Sequence, residues 1–234
     1  VGAGFAGMYM LHKARSEGFS AHVFERGGGV GGTWYWNRYP GARCDVPSLE
    51  YSYQFSEELQ QEWEWSEKYA TQPEILRYAE HVADRFDLRR DISFETTVET
   101  LEWQGHTWRV TTTSGTTDAQ FVVLATGCLS AANLPRFPGD DTYKGATYHT
   151  GNWPQEGVDF TGKQVAVIGT GSSGIQSIPV IAQHAEHLTV LQRTPAYSVP
   201  ARNQKLSATY VASIKENYGE FRRKNSLTRA ALGG

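Results

Sequence analysis

Val165-Ala166-Val167-Ile168-Gly169-Thr170-Gly171-Ser172-Ser173-Gly174 reads as an apolar strand that runs straight into a glycine turn. After it, Ile175, Ile178, Ile181 and Ala182 share one helical face, and Leu188 to Leu191 forms a second apolar strand. Pro179 lies inside this helix and is expected to bend it. In a β-turn-α-β unit of this kind each glycine has its own task. The first makes the tight turn, the second lets the backbone approach a pyrophosphate, and the third lets helix and strand pack closely. The helix N-terminus then offers free N–H groups and the positive end of its dipole to the phosphates.

The same arrangement opens the chain. Gly2-Ala3-Gly4-Phe5-Ala6-Gly7 leads into a helix to about Glu17, with Gly18 as its stop signal and Met8, Leu11 and Ala14 on its apolar face. A short strand, Ala21 to Phe24, ends at Glu25. The two units differ at the end of their second strand. The first has the acid Glu25, whose carboxylate accepts bonds from ribose hydroxyls. The second has Gln192-Arg193-Thr194, with no acid. An arginine binds a 2′-phosphate that a carboxylate would repel. An acid-reading first site suits FAD and an arginine-reading second site suits NADPH, with hydride passing between them.

Between the units, Thr71-Gln72-Pro73-Glu74 has the form of a capping box with an early proline. It starts a helix whose core face is Ile75, Leu76, Ala79, Val82, Ala83 and Phe86. From Ile92 to Thr126 the apolar period shortens to two, with a turn at Ser114-Gly115. Phe121 to Ala125 reads as a buried return strand, ending in Ala125-Thr126-Gly127. Leu134-Pro135-Arg136-Phe137-Pro138-Gly139 then interrupts every period and is the domain boundary. A last amphipathic helix is expected from about Ser207 to Lys224. The fold class is therefore α/β, with two Rossmann-like dinucleotide-binding domains. Residues 1–138 hold FAD and 139–234 hold NADPH, both incomplete. The first residue is Val1 and the last residues are Gly233-Gly234, so the chain reads as a fragment cut at both ends.

Composition narrows the function. The 234 residues are 39% hydrophobic and 20% charged, with a net charge of -3, so nothing favours nucleic acid or an anionic membrane. No apolar run approaches the roughly 18 residues of a membrane span. Two cysteines, Cys44 and Cys128, make no disulfide framework and suit a reducing cytoplasm. His184 and His187 lack acid or cysteine companions at ligand spacing, so no metal is expected. Trp63-Glu64-Trp65 is read as packing.

Two further stretches carry a resemblance. Gly31-Gly32-Thr33-Trp34-Tyr35-Trp36-Asn37-Arg38-Tyr39-Pro40-Gly41-Ala42-Arg43-Cys44-Asp45 resembles the flavin-side loop of the Baeyer–Villiger monooxygenases. Tyr143-Lys144-Gly145-Ala146-Thr147-Tyr148-His149-Thr150-Gly151-Asn152-Trp153-Pro154 matches that family's fingerprint FxGxxxHxxxW(P/D), with Tyr143 in place of Phe. The run Pro40 to Asp45, the run Tyr69 to Tyr78 and Gly169 to Gln176 are most similar to the phenylacetone and steroid monooxygenase branch.

The resemblance implies a reaction. NADPH reduces FAD, reduced flavin and O2 give a peroxyflavin, and the peroxide attacks a ketone carbonyl to give an ester or lactone. Sulfide oxidation is expected as a side activity. It also implies roles. Gly2, Gly4, Phe5, Gly7, Glu25, Gly32, Thr33, Trp34, Tyr35, Trp36, Asp45 and Tyr51 would line FAD, and Val98 would touch its adenine end through the backbone. Gly169, Thr170, Gly171, Ser172, Ser173, Gly174, Arg193 and Thr194 would hold NADPH, with Arg43, Cys44 and Asp45 facing both cofactors. Asp45 would orient a catalytic arginine, and no position in this chain corresponds to that arginine. Tyr143, Gly145, His149, Trp153 and Pro154 would belong to an interdomain linker. Without the arginine and most of the substrate pocket, the fragment by itself is expected to be inactive.

Three rival readings differ in what they need. A disulfide reductase needs a redox cysteine pair beside the flavin. An N- or S-oxygenating flavin monooxygenase lacks the Trp153-Pro154 ending of the fingerprint. A non-catalytic NADP-binding module would hold no flavin.

Overall fold

The structure is a computed structural model, and it describes residues 1–228; the terminal Gly233-Gly234 lie outside the described residues. In chain order the elements are α1 (Phe5–Ser16), β1 (Val23–Phe24), α2 (Thr33–Trp36), α3 (Glu57–Glu62), α4 (Gln72–Arg85), β2 (Ile92–Ser93), β3 (Val98–Trp103), β4 (Trp108–Thr112), β5 (Gly115–Ala119), β6 (Gln164–Ile168), α5 (Ser172–Ala182), β7 (His187–Leu191), α6 (Ala208–Glu216) and α7 (Tyr218–Ser226). They form two compact units, each discontinuous in sequence. One comprises Val1–Arg38 and Leu76–Gly157, the other Tyr39–Ile75 and Val158–Gly234.

In the first unit β1 pairs in parallel with β2, Val23 opposite Ile92. The expected strand from Ala21 is thus shorter, beginning at Val23. Helix α1 buries Met8 and Leu11, and Gly18 comes after it with φ +81°, the left-handed conformation that ends a helix. Tyr78, Ala79, Val82 and Ala83 of α4 are buried, as is Leu88 beyond it. Each buried side chain of Val or Leu size contributes about 1.5–3 kcal/mol. Antiparallel β3, β4 and β5 make a separate three-stranded sheet. Val110 and Thr112 point into its buried side, as the period of two requires.

Phe121 to Ala125 differs from its sequence reading. Val1 N donates to the Val123 carbonyl at 2.7 Å and Ala125 N to the Val1 carbonyl at 2.8 Å. No strand extends further, and Phe121, Val123 and Leu124 are exposed.

In the second unit β6 and β7 pair in parallel, Val165 opposite Leu188, with α5 between them in sequence. Pro179 sits within α5, and its ring nitrogen has no hydrogen for the Ile175 carbonyl. The unit also takes in the loop after Arg38. Cys44 N bonds the Ala70 carbonyl at 3.0 Å and Ser48 N the Lys68 carbonyl at 2.7 Å, while Lys68 N bonds the Gln204 carbonyl at 2.9 Å. The first two bonds close the segment on itself and the third ties it to the stretch after β7, so residues 39–75 group with residues from Val158 on, whereas the linear reading divides the chain once, at Pro138. The expected single helix from Ser207 to Lys224 is two helices. Asn217, at φ -133° and ψ 41°, leaves helical geometry between α6 and α7.

Candidate functional site

Both glycine turns are built alike. Gly2 lies at φ +97° and its N–H reaches the Phe24 carbonyl at 2.8 Å; Gly169 lies at φ +101° and its N–H reaches the Leu191 carbonyl at 2.8 Å. A Cβ on Gly7 would stand 1.8 Å from the Gly2 carbonyl oxygen, and one on Gly174 would stand 2.5 Å from the Gly169 carbonyl oxygen. Only hydrogen fits where helix and strand cross. Helices α1 and α5 start from Gly4 and Gly171 with no side-chain cap. By contrast Ser56 caps α3 and Ser207 caps α6. The first-turn N–H groups of α1 and α5 are thus left for an anion, which is what a dinucleotide pyrophosphate supplies. Nothing lies within 4 Å of a Cβ placed on Gly171, so the approach to that turn is open.

The first turn carries its acid. Glu25 is buried, and its two oxygens accept the N–H groups of Ala3 and Gly27, each at 2.7 Å. Gly31 N bonds the Ala3 carbonyl at 3.0 Å, which brings the Gly31-Gly32 backbone onto the turn. Gly32 lies at φ +55°, and a Cβ there would stand 2.8 Å from Gly4 Cα. Helix α2 comes next, carrying Thr33, buried Trp34, Tyr35 and Trp36. The Arg26 guanidinium covers the Trp36 ring at 4.9 Å and that of Arg38 the Tyr35 ring at 5.1 Å. Val98 opens β3, opposite Thr112.

The second turn carries the cation. Arg193 and Thr194 lie just past β7 and are exposed. Gln192 Nε2 donates to Thr170 Oγ1 at 2.6 Å, tying the strand end to the glycine turn. Ser172 opens α5, and the Ser173 carbonyl accepts the Ser177 hydroxyl at 2.8 Å.

The same unit holds the loop with Arg43, Cys44 and Asp45. Gln176 of α5 takes hold of it. Its Oε1 accepts the Tyr39 hydroxyl at 2.9 Å and the Arg43 N–H at 3.3 Å, and its Nε2 donates to the Arg43 carbonyl at 3.1 Å. The Arg43 guanidinium donates to Glu67 Oε2 and to the Tyr69 carbonyl, both at 2.8 Å. Asn203 also donates to Glu67, and both bonds hold the Glu67 carboxyl below the ordinary carboxylate range. Asp45 is exposed and Tyr51 half-buried. Cys44 is buried, and loss of water pushes its thiol up to about 11. Gln176, Gln192 and Glu67 escape sequence reasoning. Gln176 lies in a stretch that the resemblance flags, but the aim of its amide is a three-dimensional fact.

Tyr143 to Pro154 lies in the first unit. Gly151 N donates to His149 Nδ1 at 3.1 Å and Asn152 N to the His149 carbonyl at 2.9 Å, closing a tight turn. The Tyr148 and Trp153 rings lie 5.7 Å apart beside it. The Tyr143 ring lies over Gly145, with its hydroxyl oxygen 2.3 Å from where a Cβ on Gly145 would stand. Glu74, expected in a capping box, instead accepts the N–H and hydroxyl of Ser66, both at 2.8 Å.

Cys44 and Cys128 are both free, one in each unit. Among the described residues there is no cluster of His, Cys, Asp and Glu fit for a metal, and no helix is long and apolar enough to cross a membrane.

The pyridine nucleotide-disulphide oxidoreductase family matches residues 1–230. A Baeyer-Villiger monooxygenase of Pseudooceanicola batsensis is 47% identical over 222 residues, which are 93% of this chain and 41% of that protein. A phenazine N-monooxygenase of Lysobacter antibioticus is 44% identical over 225 residues, 94% of this chain and 41% of that protein. Among solved structures, an oxidized steroid monooxygenase bound to NADP is 59% identical with a TM-score of 0.92, covering 96% of this chain and 43% of that one. The chain thus spans about two fifths of the length of the relatives it matches. It belongs to the pyridine nucleotide-disulphide oxidoreductase family, and its relatives include Baeyer–Villiger monooxygenases.

Proposed function

We infer that this chain is the cofactor-binding part of an FAD- and NADPH-dependent monooxygenase that inserts one oxygen atom of O2 next to a ketone carbonyl, giving an ester or lactone. The observation that carries this reading is the pair of like-built glycine turns with unlike companions: a buried acid, Glu25, at the first and an exposed cation, Arg193, at the second. The 59% identity to a steroid monooxygenase bound to NADP supports it.

By cofactor, residues 1–138 hold FAD and 139–234 hold NADPH. Gly2, Gly4, Phe5 and Gly7 seat the FAD pyrophosphate, and Glu25 takes the ribose through the lone pairs that Ala3 and Gly27 leave free. Gly32, Thr33, Trp34, Tyr35 and Trp36 wall the flavin side, with Val98 at the adenine end and Tyr51 and Asp45 contributed from the loop beyond. Gly169 to Gly174 seat the NADPH pyrophosphate, while Arg193 and Thr194 take the 2′-phosphate. Arg43, Cys44 and Asp45 face the reacting rings, and Asp45 orients an arginine that this chain does not contain. FAD supplies the electron carrier and the oxygen activation. The residues here bind, orient and select. Two free cysteines fit work in a reducing cytoplasm. Sulfides are a second substrate class. The chain by itself does not turn over.

The relationship to a phenazine N-monooxygenase favours a second reading, oxygenation at nitrogen. Product analysis separates the two. The complete protein is given FAD, NADPH, O2 and a panel of ketones, sulfides and amines, and products are identified by mass spectrometry. Ester or lactone supports the first reading. N-oxide without ester moves the protein to the second, and hydrogen peroxide alone removes both.

A further inference from the structure

Gln176 lies two residues beyond the last glycine of the second turn, on the same rigid helix. Its carboxamide pairs with the backbone of Arg43 as a neighbouring strand would, accepting the N–H at 3.3 Å and donating to the carbonyl at 3.1 Å. Tyr39 adds a third bond, from its hydroxyl to Oε1 at 2.9 Å. Gly41 lies between them at φ +77°, where a Cβ would stand 2.3 Å from the Gln176 carbonyl oxygen. The Gly41 backbone therefore rests directly on α5, against the Gln176 carbonyl and the Val180 side chain, and the loop is fixed on both sides of that contact. The far side of Arg43 is fixed as well, since its guanidinium is bonded to Glu67 and the Tyr69 carbonyl. Asn203 completes the set, donating to Glu67 and accepting the Tyr69 N–H at 3.0 Å. All of these residues belong to one compact unit.

We propose that Gln176 is a positioning residue for hydride transfer: it holds the Arg43–Asp45 backbone in fixed register with the helix that seats the NADPH pyrophosphate. The inference rests on the reading that Arg43 to Asp45 face the nicotinamide and flavin. The helix fixes the pyrophosphate, the middle of the dinucleotide, through its N-terminus. Gln176, from the next turn of that helix, fixes the loop beside the nicotinamide end. A loop free to shift by about an ångström loses a large part of the advantage of a preset reacting geometry. Binding of the pyrophosphate itself needs none of the three bonds.

The test uses the complete protein with FAD bound. Gln176→Met keeps length and removes all three bonds. Gln176→Glu keeps both accepted bonds and, in place of the bond donated to the Arg43 carbonyl, sets a carboxylate oxygen against that carbonyl. Tyr39→Phe removes one accepted bond and leaves Arg43 held. For each, flavin content, thermal midpoint, NADP+ dissociation constant and the rate of flavin reduction by NADPH without O2 are measured. Gln176→Met is expected to slow reduction by roughly ten- to a hundredfold, with NADP+ affinity and flavin content within about twofold of the unchanged protein. Gln176→Glu is expected to slow it by about threefold or more, since two bonds stay and a repulsive contact replaces the third, and Tyr39→Phe by less than about threefold. If Gln176→Met does not fold, Gln176→Glu carries the same comparison. Reduction at the unchanged rate in the folded Gln176 variants overturns the proposal. So does a loss of NADP+ affinity equal to the loss of rate, which would make Gln176 a binding residue. An unchanged protein that takes no hydride from NADPH overturns the functional reading beneath it, a result distinct from either.

Discussion

The carboxylate of Glu25 accepts the backbone N–H of Ala3 at 2.7 Å, inside the first glycine turn. Its other oxygen accepts Gly27 N–H at the same distance. One buried acid thus ties the end of β1 to the turn before α1 and to the loop after it. A carboxylate accepts about four bonds, so two lone pairs stay available to ribose hydroxyls. The residue proposed to read the cofactor also shapes the turn beside it.

Glu25→Gln turns a donor toward one of the two N–H groups. A charge-assisted bond is lost and a buried N–H is left without an acceptor. The expected loss is about 1–3 kcal/mol of stability, with a lower flavin content after purification. Urea unfolding and the ratio of flavin to protein absorbance measure both. Values equal to those of the unchanged protein on the two counts would show that Glu25 is dispensable.

Gly171 and Gly174 separate binding from folding. A Cβ on Gly174 meets the Gly169 carbonyl oxygen at 2.5 Å, whereas one on Gly171 meets nothing within 4 Å. Gly174→Ala should lower the thermal midpoint, because α5 must move off β6. Gly171→Ala should leave that midpoint unchanged and raise the KM for NADPH about tenfold or more, because the methyl occupies the pyrophosphate's approach. Two equally unstable variants would refute this assignment.

Arg193 has no hydrogen bond or ion pair among the described residues and stands exposed after β7. Arg193→Gln should cut the preference for NADPH over NADH by about ten- to a hundredfold, the worth of one charged hydrogen-bond pair. The comparison is kcat/KM with each nucleotide, and an unaltered ratio would exclude Arg193 as the 2′-phosphate reader.

These features were legible to different degrees, for physical reasons. The two glycine turns could be read because their sterics are local: Gly2 with Gly7, and Gly169 with Gly174, interact within six residues. The core face of α4 could be read because Ala79, Val82 and Ala83 repeat at helical spacing, although buried Tyr78 was missed. Gln176 and Arg43 stand 133 residues apart, and nothing local in either announces the pair. Glu74 has the spacing of a capping box yet bonds Ser66, because a partner outside the helix competes for the same carboxylate. Asn217 breaks the last helix where the amphipathic pattern continues across it.

Cys44 gives a pH signature. Burial raises its thiol to about 11, only partly offset by the N–H of Val46 on its sulfur. A raised folded value for an acid means that the folded state keeps its proton longer. Its contribution to stability is complete below the ordinary thiol range and is lost as pH climbs from about 9 toward 11. At pH 8 Cys44 should resist alkylation until denaturant is added, as judged by peptide mapping of the complete protein. Rapid labelling of the folded protein would contradict the buried, neutral thiol.

The most direct measurement mixes the complete, purified protein with NADPH or NADH in the absence of O2 and tracks bleaching of its bound flavin. With Glu25 proposed to mark the first turn for FAD and Arg193 the second for a 2′-phosphate, the expected result is a flavoprotein that NADPH reduces at far lower concentrations than NADH. A protein that holds no flavin, or one that both nucleotides reduce equally well, would contradict it.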